Sequence, residues 1–105
     1  MLDTTPLTTA VSRFADRLRS APQSRLNRGA AAEGLALARE LSLRAQLLED
    51  PDADRRVMPD AGIFAVADQL VVAGNDLAEE LRTASSAELD EAVKIVEAAA
   101  VESGV

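Results

Sequence analysis

The sequence predicts an all-α fold: a single-domain four-helix bundle of up-down type with a long second helix. Three observations predict it. Apolar residues recur at three- and four-residue spacing in four stretches, and Pro, Gly and Asp punctuate the gaps between them. Nowhere does the alternation of a half-buried strand compete, and no internal repeat is convincing.

The first helix is expected over about 6–19. Thr5 is placed to cap it and Pro6 stands at the first helical position, where a missing N–H costs nothing. Leu7, Ala10, Val11, Phe14 and Leu18 make one buried stripe, and Arg17 and Arg19 complement the dipole in the last turn.

The second helix is expected over about 22–49, with Leu26, Ala30, Leu37, Leu41, Ala45 and Leu48 on its main stripe. Ala36, Leu43 and Leu47 form another stripe, and a helix apolar on more than one face has neighbours on more than one side. Gly29 and Gly34 each weaken a helix by about 1 kcal/mol relative to Ala, so they mark a bend or a close approach. Pro51, Pro59 and alternating Asp then make residues 50–60 an acidic loop.

Asp60 is the expected cap of a third helix over about 61–84. Ile63, Val66, Ala67, Leu70, Ala73, Gly74, Leu77 and Leu81 form its stripe, Phe64 and Val71 widen it, and Val72 points nearly opposite. The fourth helix, about 86–103, opens on the capping box Ser85-Ser86-Ala87-Glu88. Leu89, Ala92, Val93, Val96 and Ala100 set its stripe, and Gly104 suits its end. Short links make helices 1 and 2, and helices 3 and 4, antiparallel neighbours by expectation.

Composition narrows the chemistry. The chain has no His and no Cys, which removes the side chain best matched to proton transfer near neutral pH, the strongest simple nucleophile and the soft metal ligands. No disulfide is available, no apolar run reaches the roughly 20 residues of a membrane span, and the start MLDTTPLTTAV lacks a basic lead into an apolar block. The reading is a cytoplasmic protein that does not bind membrane. Of the residues, 48% are hydrophobic but only 2% aromatic, and the abundance of Ala leaves one protomer a thin core.

Charge is divided unevenly. Residues 1–48 carry seven Arg against four acids, and the rest carries four basic against fourteen acidic groups, so balances of +3 and −10 make the net −7. The first half therefore attracts anions or an acidic face, whereas the second repels nucleic acid.

Four constellations follow. Asp50, Asp52 and Asp54 have the spacing that opens a calcium loop, but Arg55 stands at its Gly position and Ala61 at its bidentate Glu. Asp76, Glu79, Glu80, Glu88 and Glu91 could gather at the junction of helices 3 and 4, the alternative metal site. Their stretches GNDLAEEL and ELDEA resemble the acidic helices of MazG-type nucleoside triphosphate pyrophosphohydrolases over about the last third of the chain. That resemblance implies an all-α, magnesium-dependent enzyme, although Thr83 replaces the third acid of the family's EExxE motif and Glu91 the Asp of its ExxD motif. Arg13, Arg17, Arg19, Arg25 and Arg28 form a basic segment for a nucleic-acid alternative, without stacking aromatics.

The fourth is surplus apolar surface: Leu35, Leu43 and Leu47 on helix 2, with Phe64, Val71 and Val72 on helix 3. The favoured reading is a noncatalytic interaction or regulatory module without cofactor or metal, using these six residues against a second copy, as a dimer, or against a partner protein.

Overall fold

The computed structural model describes residues 1–105. Four main helices form, α1 (Thr5–Ser20), α2 (Ala31–Glu49), α3 (Val66–Leu81) and α4 (Ser86–Ser103), without any strand. The expected four-helix bundle is the fold of this chain.

Local chemistry sets most helix ends. At α1 the Asp3 carboxylate, rather than the Thr5 hydroxyl, is the capping group: Asp3 Oδ1 accepts from the Thr5 backbone N–H at 3.0 Å and from its hydroxyl at 2.7 Å. At α4 the expected capping box is complete, with Ser85 Oγ accepting from the Glu88 N–H at 3.2 Å and Glu88 Oε2 from the Ser85 N–H at 3.1 Å. Gly104, at φ +72°, closes that helix.

Three features differ from expectation. The helix expected over 22–49 is broken, because Gly29 adopts φ +145° between a helical turn at Gln23–Arg25 and the start of α2. The third helix starts at Val66 rather than Ala61: Asp60 Oδ1 accepts from the Gly62 N–H at 2.9 Å, and Gly62 turns the chain at φ +96°. It ends at Leu81, short of Ala84.

Helix directions follow from contacts at the bundle ends. Leu2 N–H bonds the Arg82 carbonyl at 2.9 Å and Arg19 bonds Asp68, so α1 and α3 are antiparallel. The start of α2 meets the start of α3 where Gly34 faces Val66, and Leu47 and Leu48 at its end meet Leu77 and Leu81, so α2 and α3 are parallel. Leu47 and Leu48 also face Glu88 and Ala92, whereas Glu33 at the other end of α2 lies by Glu102, so α4 runs against α2. Within the bundle the directions are therefore up, down, down, up, with one long crossover between α2 and α3.

Neighbours differ too. Both α1 and α2 pack on α3 and α4, which places α1 diagonally across from α2 and α3 across from α4. Helices joined by short links are therefore not the adjacent pairs that link length alone predicts. The physical reason lies in two glycines of close approach: a Cβ on Gly34 would lie 2.6 Å from Val66 Cγ1, and one on Gly74 would lie 2.8 Å from Val11 Cγ1. Both let α3 wedge closely against α2 and α1 at once, and at Gly34 the tip of Leu18 from α1 also comes within 3.0 Å of such a Cβ.

The crossover, residues 50–65, doubles back along the α2–α3 seam. Side chains of the helices hold it: Gln46 exchanges two hydrogen bonds with the Arg56 backbone at 2.8 and 2.7 Å, Arg39 Nε donates to Met58 O at 2.8 Å, and Gln69 Nε2 donates to Pro59 O at 2.8 Å. Beneath it the core is wholly apolar, with Phe14, Leu7, Leu41, Leu70, Leu77 and Leu81 fully enclosed.

Candidate interaction surfaces

The six residues singled out on helices 2 and 3 do not form one patch. Leu35 is buried in the core, a correction to its reading as surface. Leu43 is half-buried, and its position is on the side of α2 turned away from the stripe Gly34, Leu41 and Ala45. Leu47, 38% exposed, lines a groove of 170 Å³ with Leu48, Leu77, Leu81 and Ala92 at the lower end of the bundle. Phe64, 73% exposed, borders Leu18, Ala21, Leu26 and Ile63 at the opposite end. Val71 packs against the core edge, and Val72, 54% exposed, stands among Asp68, Asn75 and Asp76 on adjacent helical turns.

The acidic residues are spread as well. Asp76, Glu79 and Glu80 line a 580 Å³ cleft with Glu49 beside the crossover, whereas Glu88 is held in its capping box and lines the lower groove. Glu79 also pairs with Arg82 at 3.0 Å. No three acidic side chains converge closely enough to hold a cation, and this applies equally to Asp50, Asp52 and Asp54. Asp50 Oδ1 instead accepts the Asp52 N–H at 3.1 Å, a local turn bond.

The basic segment is split among three surfaces. Arg19 reaches Asp68 at 2.8 Å and Asp16 at 3.3 Å; its bond to Asp68 raises the guanidinium pKa further, so it is firmly charged and committed. Arg25 donates to the Gly104 carbonyl, and Arg28 lies near Glu33 and Glu102 at the end of the bundle. Arg13 and Arg17 stand elsewhere, over the seam between α1 and α4.

That seam is a groove of 580 Å³, unremarked by sequence reasoning. Phe14 and Val96, both buried, belong to its floor, and Ala10, Val93, Ala100 and Val101 carry the apolar strip outward. Asp3, Arg13, Arg17 and Glu97 border it. Val101 is 78% exposed, because it lies beyond the α4 stripe that meets the core. The available signal was Val101 and Ala10 read together, but nothing in one helix's periodicity says that α1 and α4 are neighbours.

No protein-family model, no curated protein and no solved structure matches the chain.

Proposed function

We propose that this protein is a noncatalytic helical interaction module that self-associates as a dimer. The observation that carries the reading is the α1–α4 groove, whose apolar strip is bordered by charged side chains. An apolar centre within a charged rim is the anatomy of a protein–protein contact, and covering Val101 removes apolar area from water at roughly 25 cal/mol per Å². The contact face thus moves from helices 2 and 3 to helices 1 and 4, since the surplus apolar residues of α2 and α3 are divided among separate surfaces.

Sedimentation equilibrium at micromolar concentration tests this. A particle of twice the 11.1 kDa chain mass is expected. A particle of single-chain mass across the whole concentration range overturns the reading.

A further inference from the structure

We infer that the Arg55-Arg56 pair in the crossover is a cleavage site for an endoprotease with an acidic primary pocket, and that the cut protein stays assembled as a two-chain bundle. This goes beyond self-association and holds equally for a monomer.

Backbone accessibility singles out the pair. A protease takes its substrate as an extended strand, so a helical residue is cut only after its helix opens, whereas an exposed segment without backbone pairing needs no such opening. Of the eleven basic residues, eight lie on helical turns. Arg82 lies in the link between α3 and α4, but its carbonyl accepts from the Leu2 N–H at 2.9 Å and its guanidinium reaches Glu79 at 3.0 Å. Arg55 and Arg56 remain. Both are exposed, in a stretch from Asp54 to Ala61 that makes no backbone–backbone hydrogen bond, and they are the only positive charges between Arg44 and Arg82.

The charges around the pair select the bond. An acidic pocket prefers a basic side chain just before the bond it cuts. Cutting after Arg55 would bring Asp54 beside that pocket, whereas cutting after Arg56 brings Arg55, and Val57 on the far side is uncharged and 71% exposed. Water adds across the Arg56–Val57 bond, leaving a carboxylate on Arg56 and an ammonium on Val57. One side chain guards it. The Arg56 carbonyl, which the protease must polarise, accepts from Gln46 Nε2 at 2.8 Å, and the Arg56 N–H donates to Gln46 Oε1 at 2.7 Å.

The helix packing keeps the two pieces together. Residues 1–56 carry α1 and α2, and residues 57–105 carry α3 and α4. Extended seams join α2 to α3, α1 to α3, α2 to α4 and α1 to α4; within each piece contact is local, as where Leu18 meets the site of Gly34. Every long seam thus runs from one piece to the other. The core is shared likewise, with Leu7, Phe14 and Leu41 from the first piece against Leu70, Leu77 and Leu81 from the second. A cut in the crossover removes none of these residues.

Limited digestion of the intact chain with trypsin, followed by mass spectrometry, size-exclusion chromatography and far-UV circular dichroism, tests both parts. One early cut after Arg56 is expected, giving pieces that elute together at the parent's position with the parent's helix content. Gln46→Ala should be cut roughly tenfold faster, the scale of the two hydrogen bonds released. Arg55→Gln/Arg56→Gln should lose the early cut. A first cut at any other basic residue, or a double variant cut as fast as the parent, overturns the site, and a first cut after Arg55 overturns the choice of bond. An unchanged rate for Gln46→Ala overturns the guard. Pieces that separate or lose helix on cutting overturn the two-chain bundle.

Discussion

Gly74 and Val11 occupy the same space at the crossing of α3 and α1: a Cβ on Gly74 would sit 2.8 and 2.9 Å from the two γ-methyl carbons of Val11. Val11 is itself buried, so its branched side chain has nowhere to withdraw. This contact is one reason why α3, and not α2, is the neighbour of α1.

Gly74→Ala is therefore expected to destabilise the protein. Alanine improves helix propensity by about 1 kcal/mol, but overpacking a well-filled contact costs about 1–3 kcal/mol. Adding Val11→Ala should make Gly74→Ala less harmful than it is alone. Denaturant melts of the four proteins in that double-mutant cycle measure the coupling.

Gly29 and Gly34 should respond differently to the same change. At Gly29 nothing lies within 4 Å of a built Cβ, so Gly29→Ala is penalised only by the φ of +145°, by about 1–3 kcal/mol. At Gly34 the backbone is helical and the nearest obstacle is Val66, at 2.6 Å from the built Cβ, with the tip of Leu18 next at 3.0 Å. Val66→Ala is expected to relieve Gly34→Ala and to leave the Gly29→Ala penalty unchanged, which thermal melts of the double variants check.

Removing the Gln46 side chain should loosen the crossover without melting the bundle. Between Asp54 and Ala61 no backbone–backbone hydrogen bond is made, so side-chain bonds carry the attachment. Each such bond contributes about 1 kcal/mol. For Gln46→Ala, hydrogen exchange should speed up at the Arg56 amide, the hydrogen-bonded one in residues 54–60, and stay near parental in α1 and α4.

Acid should fray the first turn of α1. The hydrogen bonds from Thr5 hold the Asp3 carboxyl below its ordinary value of 3.8. A lowered pKa in the folded state means that this capping contribution is present above the ordinary value and is lost as pH falls through the lower one. The Thr5 amide shift, followed by NMR, should titrate with a midpoint below 3.8, and Asp3→Asn should abolish that titration.

Leu35→Asp and Val72→Asp should separate core from surface. The first buries an unpaired carboxylate and costs several kcal/mol, a large part of a typical folding stability of about 5–15 kcal/mol. The second places an exposed acid one turn from Asp68 and one turn from Asp76, two like-charge pairs that together cost about 0.5–1 kcal/mol, well below the cost at Leu35. It should also leave dimerisation intact, because Val72 lies outside the α1–α4 face. Urea melts and sedimentation check both parts.

The two phenylalanines show where reading one helix at a time succeeds and where it stops. Phe14 falls on the stripe of α1 and is enclosed as the periodicity requires. Phe64 also falls near a stripe, yet Gly62 delays the start of α3, which leaves Phe64 in the turn before the helix and largely exposed. The same limit applies to the candidate surface. Leu43, Leu47, Phe64, Val71 and Val72 were legible as lying off the main stripes, but whether they join depends on distances between helices.

By itself the sequence determined the helical class, the capping box at Ser85, the glycine positions and most of the inward-facing residues, because periodicity and caps act within a few residues along one helix. Only the tertiary structure decided which helices touch, that α2 and α3 run parallel, and that Arg13 and Arg17 share a groove with Glu97. The reason is steric: the bundle settles where Gly34 admits Val66 and Gly74 admits Val11, and such a fit belongs to pairs of surfaces, not to any one of them.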